Sequence, residues 1–72
     1  MTFLYRKVDS LLADSSNGEV GVGDTLLVER DRPPGEGELV LVRVHGSERL
    51  RRWREGLMDD VLGVVIGIRR RL

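Results

Sequence analysis

Apolar and β-branched residues group into five short segments of the chain, separated by residues typical of turns. The segments are TFLYRKV (2–8), TLLVER (25–30), ELVLVRV (38–44), ERLRRWR (48–54) and VLGVVIGI (61–68). Short apolar runs at this spacing, with turn signals between them, are typical of strands in an all-β protein. The pattern therefore predicts an all-β fold in a single domain spanning residues 1–72.

The segments differ in the position that each is expected to take in a sheet. Segment 2–8 predicts an edge strand, while segment 38–44 is apolar on both faces and predicts a central one. The pair Gly46-Ser47 predicts a type II′ hairpin turn that brings segments 38–44 and 48–54 together antiparallel. Residues 8–18 could form a short helical turn or a loop rich in capping residues, and the pattern does not decide between them.

The last segment alternates between large and small residues. Positions 62, 64, 66 and 68 predict a stripe facing the core, and the other face is small and flat. The flat face consists of Val61, Gly63, Val65 and Gly67. It has two interpretations: an interior strand approached closely by another backbone, or an exposed edge that forms a dimer interface.

Composition narrows the range of partners. The chain has 72 residues, twelve basic and twelve acidic, so its net charge does not call for nucleic acid or a membrane as a partner. It has no cysteine and one histidine, His45, so we expect no disulfide, metal or cofactor. No signal-peptide or membrane-spanning pattern is present, which predicts a soluble, cytoplasmic protein. A core this small favours a homodimer.

Four short motifs occur in order between residues 14 and 70. They are Asp14-Ser15, then Gly23-Asp24 followed by TLLV, then GELVLVR (37–43) with LRRW (50–53), and finally GVVIGIR (63–69). In order and spacing they resemble the C-terminal domain of LexA, UmuD and related phage repressors, the serine/lysine self-cleaving peptidases with a signal-peptidase-like fold. The resemblance implies a small, partly open barrel or twisted sheet.

The resemblance also assigns two site residues. Ser15 falls on the family's nucleophile position, and Arg51 falls where the family has its general-base lysine. Because an arginine keeps its proton in proteins, Arg51 cannot accept the proton of the serine. The resemblance therefore implies a catalytically inactive module for homodimerisation or regulatory binding, whose partner is a second copy or an intact family member. The enzymatic alternative is a serine peptidase in which Ser15 uses a non-standard base such as Lys7.

A second cluster supports an alternative without peptidase chemistry. Cations surround one aromatic residue in Arg49, Arg52, Trp53 and Arg54, a composition that suits phosphate contacts and base stacking in a small nucleic-acid-binding barrel. On a strand, however, neighbouring residues point to opposite faces, which divides this patch. Structural roles for Trp53 as a cap on the core, and for Ser15 and Ser16 as turn residues, are the simpler interpretations.

Overall fold

The computed structural model describes residues 2–72. The elements in chain order are β1 (Phe3–Lys7), α1 (Ser10–Ser15), β2 (Thr25–Glu29), β3 (Leu39–Val44), β4 (Ser47–Arg52) and β5 (Asp60–Arg69). The five strands form one antiparallel sheet in the order β1-β2-β5-β3-β4, which confirms the all-β prediction. The twisted sheet does not close into a barrel, and β1 and β4 are its two edges. The predictions of β1 as an edge strand and β3 as an interior strand are both correct.

The ambiguous segment after β1 contains one short helix. The Asp9 carboxylate caps it by accepting a hydrogen bond from the Leu12 N–H at 2.9 Å, the arrangement that favours aspartate at this position. Leu12 is buried and points into the sheet. This helix therefore defines one side of the sheet, hereafter the α1 face.

Buried side chains form two clusters, one on each side of the sheet. The main core lies on the α1 face and consists of Val8, Leu12, Val20, Leu26, Val28, Leu39, Leu41 and Leu50. The second cluster lies on the opposite face, where Val44, Trp53, Leu57 and Val61 pack against the fully buried Val40, Val42 and Val64. Burial on both faces explains why residues 39–42 of β3 form an unbroken apolar run.

The β3–β4 hairpin differs from the prediction in its turn. Val44 pairs with Ser47, so the two loop residues are His45 and Gly46 rather than Gly46 and Ser47. Both have positive φ, 49° and 78°, which is the signature of a type I′ turn instead of type II′. The twist of this turn matches the twist of the paired strands, so the antiparallel pairing itself is as predicted.

Strand β5 departs from simple alternation at two points. Its register shifts against β3 at Leu62 and against β2 at Ile66, each a β-bulge that adds one residue to β5. Each bulge reverses the alternation, so Leu62 and Val65 pack on the main core while Val64 belongs to the second cluster. The predicted core stripe over 62, 64, 66 and 68 is wrong for this reason, and Ile66 and Ile68 are 38% and 37% exposed.

Strand β5 also lies at the centre of the sheet, between β2 and β3. Of its two interpretations, the interior strand is correct, and a dimer formed through the edge of Val61, Gly63, Val65 and Gly67 is not, because both edges of β5 are already paired. Gly63 is buried and lies close against Val28 and Glu29 of β2. Val65 packs on the main core. Val61 and Gly67 are half-buried. That they contact a partner through the face of the sheet, and not through a strand edge, stays a prediction.

Candidate functional site

Ser15, the residue at the predicted nucleophile position, ends α1 beside the edge strand β4. Its hydroxyl donates a hydrogen bond to the Leu12 carbonyl at 2.9 Å. Its Oγ accepts a hydrogen bond from the Leu50 N–H of β4, also at 2.9 Å. Ser15 thus ties the end of the helix to the sheet edge.

The Arg51 side chain hydrogen-bonds to the carbonyl of Leu50, the second backbone group of that residue that points away from the sheet. Its Nη1 donates to the Leu50 carbonyl at 3.0 Å, and its Nε lies 3.5 Å from a carboxylate oxygen of Asp59. Both backbone polar groups of Leu50 are therefore bonded to the two side chains that sequence reasoning assigned to the catalytic positions. A pairing strand would have to displace both bonds.

These residues line one open cavity of about 440 Å³ between α1 and β4. Ser15, Leu50 and Arg51 border it, together with Asp14 and Ser16. The structure thus brings the two predicted site residues to the same cavity, although the Ser15 hydroxyl donates to a backbone carbonyl instead of a side-chain base.

Neither Lys7, the alternative base, nor His45, the one histidine, hydrogen-bonds to Ser15. Lys7 is exposed on β1, where its side chain shares the sheet face of Phe3 and Tyr5 and points away from α1. His45 is exposed in the β3–β4 turn. Within residues 2–72, Ser15 Oγ makes no hydrogen bond to a histidine, lysine or carboxylate, so it lacks the proton acceptor that an activated serine requires.

The adjacent Ser16 has a structural role that the sequence predicted. It is buried, donates to the Ala13 carbonyl at 2.7 Å and accepts from the Val20 N–H at 3.2 Å. Together with Asn17, which has a positive φ of 56°, it ends the helix and begins the following loop.

The Gly23-Asp24 motif forms a second polar site at the start of β2. The Asp24 carboxylate, 5% exposed, accepts hydrogen bonds from the N–H groups of Gly21 at 2.9 Å and Arg71 at 2.8 Å. The Arg70 guanidinium adds a contact at 3.1 Å. The sequence predicted the local turn but not the bond to the C-terminal tail, because nothing in the motif indicates a partner 47 residues away.

These contacts predict how stability depends on pH at this site. Hydrogen bonds from Gly21 and Arg71, and then the nearby Arg70, hold the pKa of the Asp24 carboxyl below its usual value. A carboxyl whose pKa is lower in the folded protein stabilises it above the unfolded pKa of about 3.9, and that stabilisation disappears as the pH falls through the folded value. We expect Asp24→Asn to be less stable than wild type at pH 7, with the difference shrinking towards acid pH in urea unfolding.

Asp14→Asn is the matched control, because the Asp14 carboxylate makes no hydrogen bond within residues 2–72. At pH 7 its stability should be close to that of the wild type, because the residue is exposed. A difference between Asp24→Asn and wild type that stays constant from neutral to acid pH would contradict the assigned role of the carboxylate.

The arginines around Trp53 mainly contact groups of the same chain. Arg52 forms an ion pair with Glu19 and donates to the Gly37 carbonyl at 3.1 Å. Arg49 donates to the Glu48 carbonyl at 3.0 Å, and Trp53 packs against the second cluster, as its cap interpretation predicted. Arg54 is exposed. The predicted nucleic-acid patch is thus divided between the two faces of β4 and the loop that follows.

Comparisons with known protein families, curated proteins and solved structures found no match to this chain. Within residues 2–72, no helix is both long and apolar enough to cross a membrane. The assignment of function therefore depends on the geometry around Ser15 and Arg51. The sequence analysis did not identify Leu50 as part of the site, because its leucine side chain carries no polar group. Its backbone joins Ser15 and Arg51.

Proposed function

We propose that this chain is a non-catalytic protein-association module that resembles the serine/lysine self-cleaving peptidases, with the nucleophile position used to close a sheet edge. The observation that carries the non-catalytic part of the proposal is the bonding of Leu50. Its N–H donates to Ser15 and its carbonyl accepts from Arg51. Both side chains act as hydrogen-bond partners of a structural strand.

This arrangement opposes peptide hydrolysis for two reasons. A serine attacks a carbonyl only when a base takes its proton, and the Ser15 proton is engaged by the Leu12 carbonyl, which is not a useful base. Arg51 remains protonated and is held beside Asp59, so it cannot replace the missing lysine.

The nucleic-acid alternative has less support from the contacts. Binding to phosphates needs cations that are free to replace counterions. Arg52 and Arg70 are instead paired with Glu19 and Asp24, and Arg51 lies near Asp59. The chain's net charge of zero adds no long-range attraction for a polyanion.

A single substitution separates the structural role from the catalytic one. Ser15→Ala removes the acceptor of the half-buried Leu50 N–H, so we expect a loss of about 1–2 kcal/mol in the free energy of unfolding. Urea unfolding monitored by Trp53 fluorescence measures it. The matched control Ser10→Ala, at an exposed position of the same helix, should change stability by no more than about 0.5 kcal/mol.

Chemical labelling tests the absence of an activated serine directly. A fluorophosphonate probe at neutral and alkaline pH should leave the wild-type chain unlabelled under conditions that label a known serine peptidase in the same tube. Labelling of wild type that disappears in Ser15→Ala, together with cleavage of a linker peptide, would establish a peptidase and refute the proposal.

A further inference from the structure

The two edge strands of the sheet differ in their outward backbone groups. On β4, side chains of the same chain hydrogen-bond to several of these groups, and we call this the closed edge. The bond from the Trp53 N–H to the Glu38 carbonyl shows which residues of β4 face β3, and by alternation Glu48 and Leu50 direct their backbone groups outward. The Arg49 side chain donates to the Glu48 carbonyl, and the Arg51 side chain donates to the Leu50 carbonyl. The Ser15 hydroxyl accepts from the Leu50 N–H. Side chains thus bond to three outward backbone groups in the middle of this edge, which is a common protection against strand addition.

Strand β1 has no such cover. The bonds from Arg30 N–H to the Thr2 carbonyl and from Val8 N–H to the Asp24 carbonyl show that even-numbered residues of β1 face β2. The N–H and C=O groups of Phe3, Tyr5 and Lys7 therefore point away from the sheet. Within residues 2–72, no hydrogen bond outside the β1–β2 pairing reaches them.

Exposed aromatic side chains accompany these free backbone groups. Phe3 is 45% exposed and Tyr5 69% exposed, both on the face opposite α1. Lys7 follows on the same face, and no acidic residue within residues 2–72 pairs with it. An open edge flanked by large exposed rings is typical of a site that adds a strand.

The sequence of β1 is complementary to itself in one antiparallel register. With a two-fold axis at Tyr5, each Tyr5 faces Tyr5 of the second copy, and each Phe3 faces the ammonium of Lys7 of the second copy. Arg6, which already pairs with Glu48 at 2.8 Å, would face Leu4. No like charges are directly opposed in this register, and the three outward-facing residues form hydrogen-bonded pairs.

From these contacts we infer that β1 pairs antiparallel with β1 of a second copy of this chain, joining two five-stranded sheets into one. The inference rests on the proposed association function and names its partner. A five-residue strand makes a small interface, so the dimer is weak and depends on concentration. Its interface is β1, in place of the predicted interface on β5.

The register can be tested by disulfide trapping, because the natural chain has no cysteine. At the two-fold axis, the two Cα atoms of a hydrogen-bonded pair lie about 5.5 Å apart, within the range of a disulfide. Tyr5→Cys should therefore form a covalent dimer in a glutathione redox buffer. Phe3→Cys, which is also exposed at the same edge, should not, because its two copies would be offset by about 13 Å along the strands.

Sedimentation equilibrium from about 10 µM to about 1 mM, a range suited to a small interface, tests association without a cross-link. We expect wild type to shift from monomer to dimer, and Tyr5→Lys to raise the dissociation constant at least about tenfold by opposing two like charges. Met58→Lys, which replaces another exposed apolar residue in the loop between β4 and β5, should associate as wild type does.

Three results would overturn the inference: a wild-type monomer across the whole range, equal trapping of both cysteine variants, or a dimer that Tyr5→Lys leaves intact. None of these depends on the chemistry of Ser15. Fluorophosphonate labelling of the same wild-type sample would instead refute the non-catalytic function, so the two failures can be distinguished.

Discussion

Gly63→Ala is expected to lower the free energy of unfolding by about 3 kcal/mol, at the upper end of the usual cost of overpacking. Gly63 lies in the central strand, and a Cβ there would sit 2.5 Å from Val28 Cγ1 and 2.8 Å from the Glu29 carbonyl oxygen. A flexible side chain could move aside, but the carbonyl belongs to the paired backbone of β2. Equilibrium urea unfolding provides the measurement.

The same substitution four residues later is the matched control. A Cβ at Gly67 would meet Leu27 at 3.7 Å, which is an ordinary van der Waals distance. Alanine also has less conformational freedom than glycine in the unfolded chain, so Gly67→Ala should be neutral or slightly stabilising. Equal effects at the two positions would contradict the central placement of β5 and its bulged register against β2.

Leu41→Ala is expected to cost about 2–5 kcal/mol, the usual range for removing most of a fully buried leucine. Leu41 has no exposed surface and lies in β3, inside the main core. Domains of ordinary size have only about 5–15 kcal/mol of stability, so the variant is expected to be partly unfolded at moderate urea concentrations. Far-UV circular dichroism and Trp53 fluorescence together report the fraction folded.

Leu11→Ala makes the same chemical change on the exposed side of α1, where the leucine is 50% exposed. Leucine and alanine have similar helix propensities, so the cost should stay below about 1 kcal/mol. If Leu11→Ala were as costly as Leu41→Ala, the helix would have to pack with its opposite side on the sheet. That result would also remove Leu12 from the core.

Local patterns predicted most of the secondary structure. The five strands lie within one or two residues of the apolar segments, and the apolar run of β3 matches its burial by the two clusters on the faces of the sheet. Each inference used residues that lie next to one another in the chain. The hairpin turn was misplaced by one residue because both His45-Gly46 and Gly46-Ser47 satisfy glycine-based turn rules.

Strand β5 shows where local patterns fail. Its alternation predicts one continuous stripe, yet two bulges reverse the orientation of its side chains within ten residues. A bulge depends on the two strands beside it, and no feature of VLGVVIGI alone indicates which neighbours it has. The same uncertainty left the interior and edge interpretations open, and only the strand order decided between them.

The candidate site, like β5, was predicted only in part from the sequence. Sequence motifs identified Ser15 and Arg51 and excluded Arg51 as a base, because the chemistry of a side chain is known from its type alone. Their meeting at Leu50, across 35 residues of chain in the case of Ser15, follows from packing α1 against β4. Asp24 is similar, since its partner in the C-terminal tail lies 47 residues away.

Residue chemistry and local periodicity thus established the fold class and the strands. Strand order, the two bulges, the closed edge at β4 and the open edge at β1 came from contacts between distant segments. The reason is physical: backbone hydrogen bonds between strands are nearly independent of sequence, so several apolar strands can pair in many orders. The packing of the whole chain selects one of them, and that selection determines which edge is available to a partner.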